Sequence, residues 1–129
     1  MRIPVQINES SAEPLYHQIE TQLRSLIVTG QIAEGTLLPS IREFSADLKC
    51  SVITIRRVYQ DLENEGMLRT RQGTGTFVAK VDTDDREAYR KRIVVDAVRE
   101  LLDTAKSVGY ELSDLRELLD ETLREEERK

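Results

Sequence analysis

The sequence predicts a mainly α-helical protein with one small β-hairpin, and three observations carry that prediction. Apolar residues recur at three- and four-residue spacing in five separate stretches, the period of helices with one buried face. All five of those stretches end at a glycine or begin at a serine or proline suited to a helix terminus. The exception to the helical period is Gln72–Gly75, where two glycines stand between short alternating segments, the pattern of a hairpin turn.

The elements follow in order. Residues 3–7 alternate weakly and predict a short edge strand, with Pro4 keeping it from a central position. The first helix is expected from Pro14 to Thr29, with Gly30 as its stop and Leu15, Ile19, Leu23, Leu26 and Ile27 as its apolar stripe. After a polar turn containing Gly35, Ser40 and Glu43 have the spacing of a capping box for a second helix, Ile41 to Leu48, with Ile41, Phe44, Ser45 and Leu48 facing inward. Ser51 caps a third helix that ends at Glu65 before Gly66, and Ile55, Val58, Tyr59 and Leu62 form its buried face. Met67–Arg71 and Thr76–Ala79 are the hairpin arms. A long helix is expected from about Asp85 to Ser107, and Gly109 breaks it before a last helix capped by Ser113.

Composition narrows the function. The 129 residues carry 33% charged side chains, a net charge of -5, one Cys and one His. One Cys forms no internal disulfide, and one His leaves any metal dependent on carboxylates, so neither metal nor cofactor is expected and a reducing cytoplasm is the natural compartment. His17 is assigned no role, and Cys50 reads as a small buried hydrophobe. No run of about 18 apolar residues predicts a membrane span. No nucleophile elbow or phosphate-binding loop is present, so the chain is read as not an enzyme. The charge is unevenly distributed: residues 1–81 hold nine basic and nine acidic side chains, whereas residues 82–129 hold ten and fifteen. A winged domain over 1–81 and a dimerisation segment over 82–129, joined by the acidic bridge Asp82–Asp85, are the expected divisions.

Short helix, tight turn, helix with a polar and basic first turn, then a hairpin is the order of a winged helix-turn-helix, whose second helix enters the major groove of DNA. By position, Ser51 and Thr54 can donate to phosphate or a base edge, Val52 or Ile53 can touch a thymine methyl, and Arg56 can reach guanine or phosphate. Arg57 is placed with them. The sequence resembles the GntR family of bacterial transcription regulators, and within it the YtrA-like subfamily. The residues that carry the resemblance are Pro14-Leu15-Tyr16 with Gln18-Ile19, Leu38-Pro39-Ser40 with Arg42-Glu43, Ser51, Thr54 and Arg56, Leu62-Glu63 with Glu65-Gly66, and Gly73 to Val78.

The resemblance implies a homodimer on a palindromic double-stranded DNA operator, with Arg42, the start of the third helix and the wing at Gln72 and Gly73 near DNA. Arg71 and Thr74, which flank that turn, are grouped with them. Where many relatives carry Arg, this sequence has Val52, so base readout leans on apolar contact. The 48 residues after Val81 suffice for two helices but not for the added domains of larger subfamilies. Tyr89, Ile93, Ala97 and Leu101, with Leu115 and Leu119 of the last helix, are the expected dimerisation residues, because two helices alone make a thin core. The resulting reading is a dimeric repressor, tuned by an unidentified small-molecule effector acting through the acidic bridge. The alternative is a protein-interaction module using the exposed Val52 and Ile53 face and the leucine-rich tail.

Overall fold

Three helices form first: α1 (Leu15–Val28), α2 (Ile41–Leu48) and α3 (Val52–Asn64). They are followed by the strands β1 (Leu68–Arg71) and β2 (Gly75–Val78), then α4 (Thr83–Ser107) and α5 (Leu112–Glu127). The structure is a computed structural model describing residues 2–80 and 83–129, with backbone only at 83–85. Val81 and Asp82, at the expected domain boundary and the start of the acidic bridge, lie outside the described residues. By its internal contacts the chain forms one compact unit up to Arg86 and a second from Glu87 onward.

In the first unit, α1 begins one residue later than expected, because Pro14 is the extended N-cap (φ -56, ψ 146) rather than a helical residue. Ile19, Leu23 and Ile27 are buried along it, while Leu15 and Leu26 are only half-buried. In place of those two, the polar Gln18 and Glu20 are buried. Gln22 and Gln18 bear on a second departure: residues 3–7 form no strand. The Gln18 amide donates to the carbonyls of Asn8 (3.1 Å) and Glu13 (3.0 Å) and accepts from the Asn8 N–H (2.9 Å). One turn later, Gln22 donates to the Gln6 carbonyl (2.7 Å) and accepts from its N–H (2.9 Å). Helix side chains thus satisfy the main-chain groups that a neighbouring strand would otherwise pair.

The capping box of α2 is present, with Ser40 Oγ accepting from the Glu43 N–H at 3.1 Å and Glu43 Oε1 from the Ser40 N–H at 3.3 Å. Lys49 then turns the chain in a left-handed conformation (φ 55, ψ 47), and the Cys50 N–H bonds back to the Ser45 carbonyl at 3.0 Å. This closes α2 in the manner usually given to glycine. Cys50 is half-buried rather than fully buried, and burial pushes its thiol up from its ordinary pKa. Ile55, Val58, Tyr59 and Leu62 of α3 are buried as their spacing predicts. The Tyr59 ring stacks on Phe44, with centroids 6.0 Å apart, and its hydroxyl donates to the Pro39 carbonyl at 2.7 Å. Burial keeps that phenol neutral by raising its pKa.

The strands pair antiparallel with Leu68 opposite Val78 and Arg71 opposite Gly75. The segment before α2, expected to be only a polar turn, also joins this ribbon. Leu37 bridges Phe77, the Leu38 N–H donates to Thr76 and the Val78 N–H to Thr36. Gly75 permits the close approach: at φ +129 it has a backbone few other residues adopt, and a Cβ there would lie 2.9 Å from Leu37 Cδ1.

Arg24 ties α1 to the end of α3, contacting Glu20 (2.8 Å) and both oxygens of Glu65 (3.1 and 2.8 Å). Burial, then a hydrogen bond from the protonated Glu20 carboxyl to Asp61 and repulsion from Asp61, raises the Glu20 pKa; Arg24 opposes them. A carboxyl raised in the folded state favours folding below its unfolded pKa, and that contribution is lost as pH rises through the folded value. Glu20→Gln is therefore expected to gain thermal stability relative to the parent as pH rises from about 4.5 toward 8. Thermal melts across that range test this, and a pH-independent gap between the two proteins counts against the shared proton.

The second unit has little core of its own. Gly109 (φ 71) ends α4, and the Tyr110 N–H reaches back to the Ala105 carbonyl at 2.8 Å. The expected Ser113 cap is absent: α5 starts at Leu112 with Glu111 as an N-cap that makes no side-chain hydrogen bond, so Ser113 lies inside the first turn. Among the described residues of this unit only Ala105 and Leu115 are buried. Ile93, Val94, Val98, Leu101, Leu118, Leu119 and Leu123 are exposed.

Candidate nucleic-acid interface

The first turn of α3 leaves main-chain N–H groups without helical partners, which makes that end attractive to anions. Ser51 Oγ accepts the Thr54 N–H at 3.1 Å and lies 2.9 Å from Thr54 Oγ1, so the two hydroxyls bond each other as well as the helix end. The next residues diverge. Val52 and Arg56, one turn apart, line a groove of about 440 Å³. Ser40, Ile41, Arg42 and Glu43 from the start of α2, Leu37 and Leu38, and Thr74 to Thr76 of the wing complete it, with the Glu43 carboxylate bonded to the Ser40 N–H in the capping box.

Four expected DNA-contacting residues, Arg42, Val52, Arg56 and Thr74, are thereby brought to one concavity. Arg42 and Arg56 are exposed, and neither has an ion-pair or hydrogen-bond partner among the described residues. Two unneutralised guanidinium groups at one helix-lined groove suit a polyanion that supplies both phosphates and base edges.

Arg57 is placed differently from its neighbour. Its guanidinium carbon lies 3.6 Å from the Tyr16 ring centroid, and its Nε is 3.9 Å from Asp61. Arg57 is therefore held against the first helix, with a defined orientation and reduced freedom.

Gln72 and Gly73 form the exposed tip of the wing, where Gly73 has φ 82 and the Thr74 N–H closes the turn on Arg71 at 3.0 Å. Arg71 lies on the outer face of the wing, 5.8 Å from the Phe77 ring, in a second groove of about 420 Å³. Arg69 and Lys80 line the same groove and were absent from the residues placed at DNA by sequence. The available signal was the two-residue spacing of Arg69 and Arg71, which puts both on one face of a strand. His17 is exposed, 3.5 Å from Glu13, and edge-on to Tyr16. No helix among the described residues is long and apolar enough to cross a membrane.

A short helix, a left-handed turn, a second helix with an unpaired arginine near its start and a glycine-tipped ribbon define a winged helix-turn-helix regulator of transcription. Residues 15–78 match the bacterial regulatory proteins of the gntR family, and the chain belongs to that family, which consists of regulators and not enzymes. It is 29% identical over 117 residues to the transcriptional repressor YtrA of Bacillus subtilis, covering 91% of this chain and 90% of that protein. A GntR family transcriptional regulator from Listeria monocytogenes superposes with a TM-score of 0.69 at 25% identity, over 89% of this chain and 98% of that one. The DNA-binding domain of AraR in complex with operator ORX1 superposes with a TM-score of 0.50 at 33% identity, over 61% of this chain and 92% of that domain.

Proposed function

We propose that this YtrA-like regulator is a cytoplasmic repressor that binds a palindromic double-stranded DNA operator as a homodimer. The observation that carries the reading is the pair Arg42 and Arg56, unpartnered and facing one groove with the wing residue Thr74. The start of α3 enters the major groove, Arg42 and Arg56 contact phosphate or base edges, and the wing lies against the flanking backbone. Arg69, Arg71 and Lys80 extend the positive surface along the wing despite a net charge of -5 for the whole chain. AraR, whose domain shares this fold, is solved with its operator, which supports DNA as the partner.

Dimerisation follows from what the second unit leaves exposed. Ile93, Ala97 and Leu101 repeat every fourth residue of α4 and Leu119 continues an apolar side of α5, while Tyr89 is half-buried. Leu115 differs from the others placed in this seam, being already buried within its own chain. A second copy that covers the exposed leucines supplies the core the two helices lack, and its two-fold symmetry matches two half-sites.

The test is fluorescence anisotropy with duplex DNA from upstream of the gene and with a shuffled duplex, at about 50 and 200 mM salt. The expected result is preference for the native duplex and a loss of affinity of orders of magnitude at the higher salt. Alanine at Arg71, Arg69 or Lys80 is expected to lower the salt slope by about one for each phosphate contact removed. Weak binding that ignores both sequence and salt would overturn the reading.

A further inference from the structure

We infer that Ile53 reads the 5-methyl group of a thymine in each operator half-site, an inference that rests on the DNA-binding reading above. In sequence, Val52 and Ile53 are equally placed for an apolar contact at the start of α3. The fold separates them. Val52 is half-buried in the wall of the groove that holds Arg42 and Arg56, whereas Ile53 is 75% exposed and lies outside that lining.

Ile53 sits at the N-terminal end of an exposed ridge that continues through Arg56, Arg57 and Gln60. Recognition helices present this end to base edges. Its β-branch leaves essentially one side-chain rotamer in a helix, so the methyl groups are presented with little freedom to lose on contact. Arg57, one turn on, is fixed against Tyr16 and does not fold back over it. The thymine 5-methyl is the one methyl group that the four bases display in the major groove. Against any other base edge, Ile53 would desolvate a donor or acceptor and return no hydrogen bond, so the same side chain attracts thymine and rejects its competitors.

The experiment selects bound duplexes from a random-sequence pool with the full chain. The recovered duplex is then resynthesised with each thymine in turn replaced by deoxyuridine, which removes only the methyl. The parent protein is expected to bind about fourfold more weakly for the loss at one position in each half-site. Ile53→Ala, which removes the contact from both half-sites at once, is expected to lose about fifteenfold on the thymine duplex and to bind thymine and uracil equally at that position. Ile53→Val retains a partial preference, and Arg56→Ala retains the full one. Because Ile53 is exposed, thermal melts of its variants should match the parent.

Persistence of the thymine preference in Ile53→Ala, or no effect of uracil at any position, overturns the inference and leaves DNA binding standing. If no duplex is enriched, the DNA-binding reading and this inference fall together.

Discussion

Replacing both Arg42 and Arg56 with alanine is expected to abolish sequence-preferring DNA binding and to leave the fold unchanged. Each guanidinium at a base edge or phosphate accounts for about 1–3 kcal/mol, and a homodimer presents each twice, so the double variant loses four contacts. The expected loss is on the order of 10³-fold or more, read by anisotropy at fixed salt. The melting temperature should barely move, because both side chains are exposed and neither has an intramolecular partner among the described residues. Arg57→Ala is the informative contrast: it removes the stack on Tyr16 and the pair with Asp61, and so lowers stability by about 0.5–1 kcal/mol as well as any DNA contact. Near-parental affinity in the Arg42 and Arg56 double variant would show that the groove they line is not the DNA-binding face.

Aspartate at both Ile93 and Leu101 is expected to yield a monomer whose winged unit still folds. Both residues are exposed in the single chain, so the charges cost little there, but a dimer would have to bury them without partners. Sedimentation equilibrium measures the change in mass. Operator affinity should fall about 10²- to 10⁴-fold, because the second half-site contact ceases to be intramolecular. A double variant that stays dimeric at parental affinity would place the two-fold contact elsewhere.

Much of the winged unit was legible because its signals are local. Ser40 with Glu43, Ser51 with its following turn, and the spacing of Ile55, Val58, Tyr59 and Leu62 each follow from helix geometry alone, and the structure reproduces them. What escaped depends on remote neighbours. Leu37 joins the ribbon through main-chain bonds to β2, which leave no period in its own segment. Residues 3–7 look like a strand, yet their partners are Gln6 to Gln22 and Asn8 to Gln18, supplied by a helix. Buried Gln18 and Glu20 were not anticipated, because a polar residue enters a core only where partners await it, and apart from Arg24, one turn on from Glu20, those partners come from residues 8, 13 and 61. Ser113 had the chemistry of a cap but lies two positions past the one that caps. In the site, Arg56 and Arg57 are indistinguishable as letters; Tyr16, forty residues earlier, sets them apart.

The unequal cores of the two units also bear on dosage. The winged unit closes its own interior, so its folding is unimolecular and indifferent to how much protein is present. The helix pair, with only Ala105 and Leu115 buried among its described residues, would in the proposed dimer draw its stability from a second copy and obey mass action. Dilution of such a dimer would weaken the pairing of its two reading heads before it weakened either head. In the proposed dimer, the quantity of regulator made would become an input to its own occupancy of DNA, rising with the square of monomer concentration wherever monomer predominates.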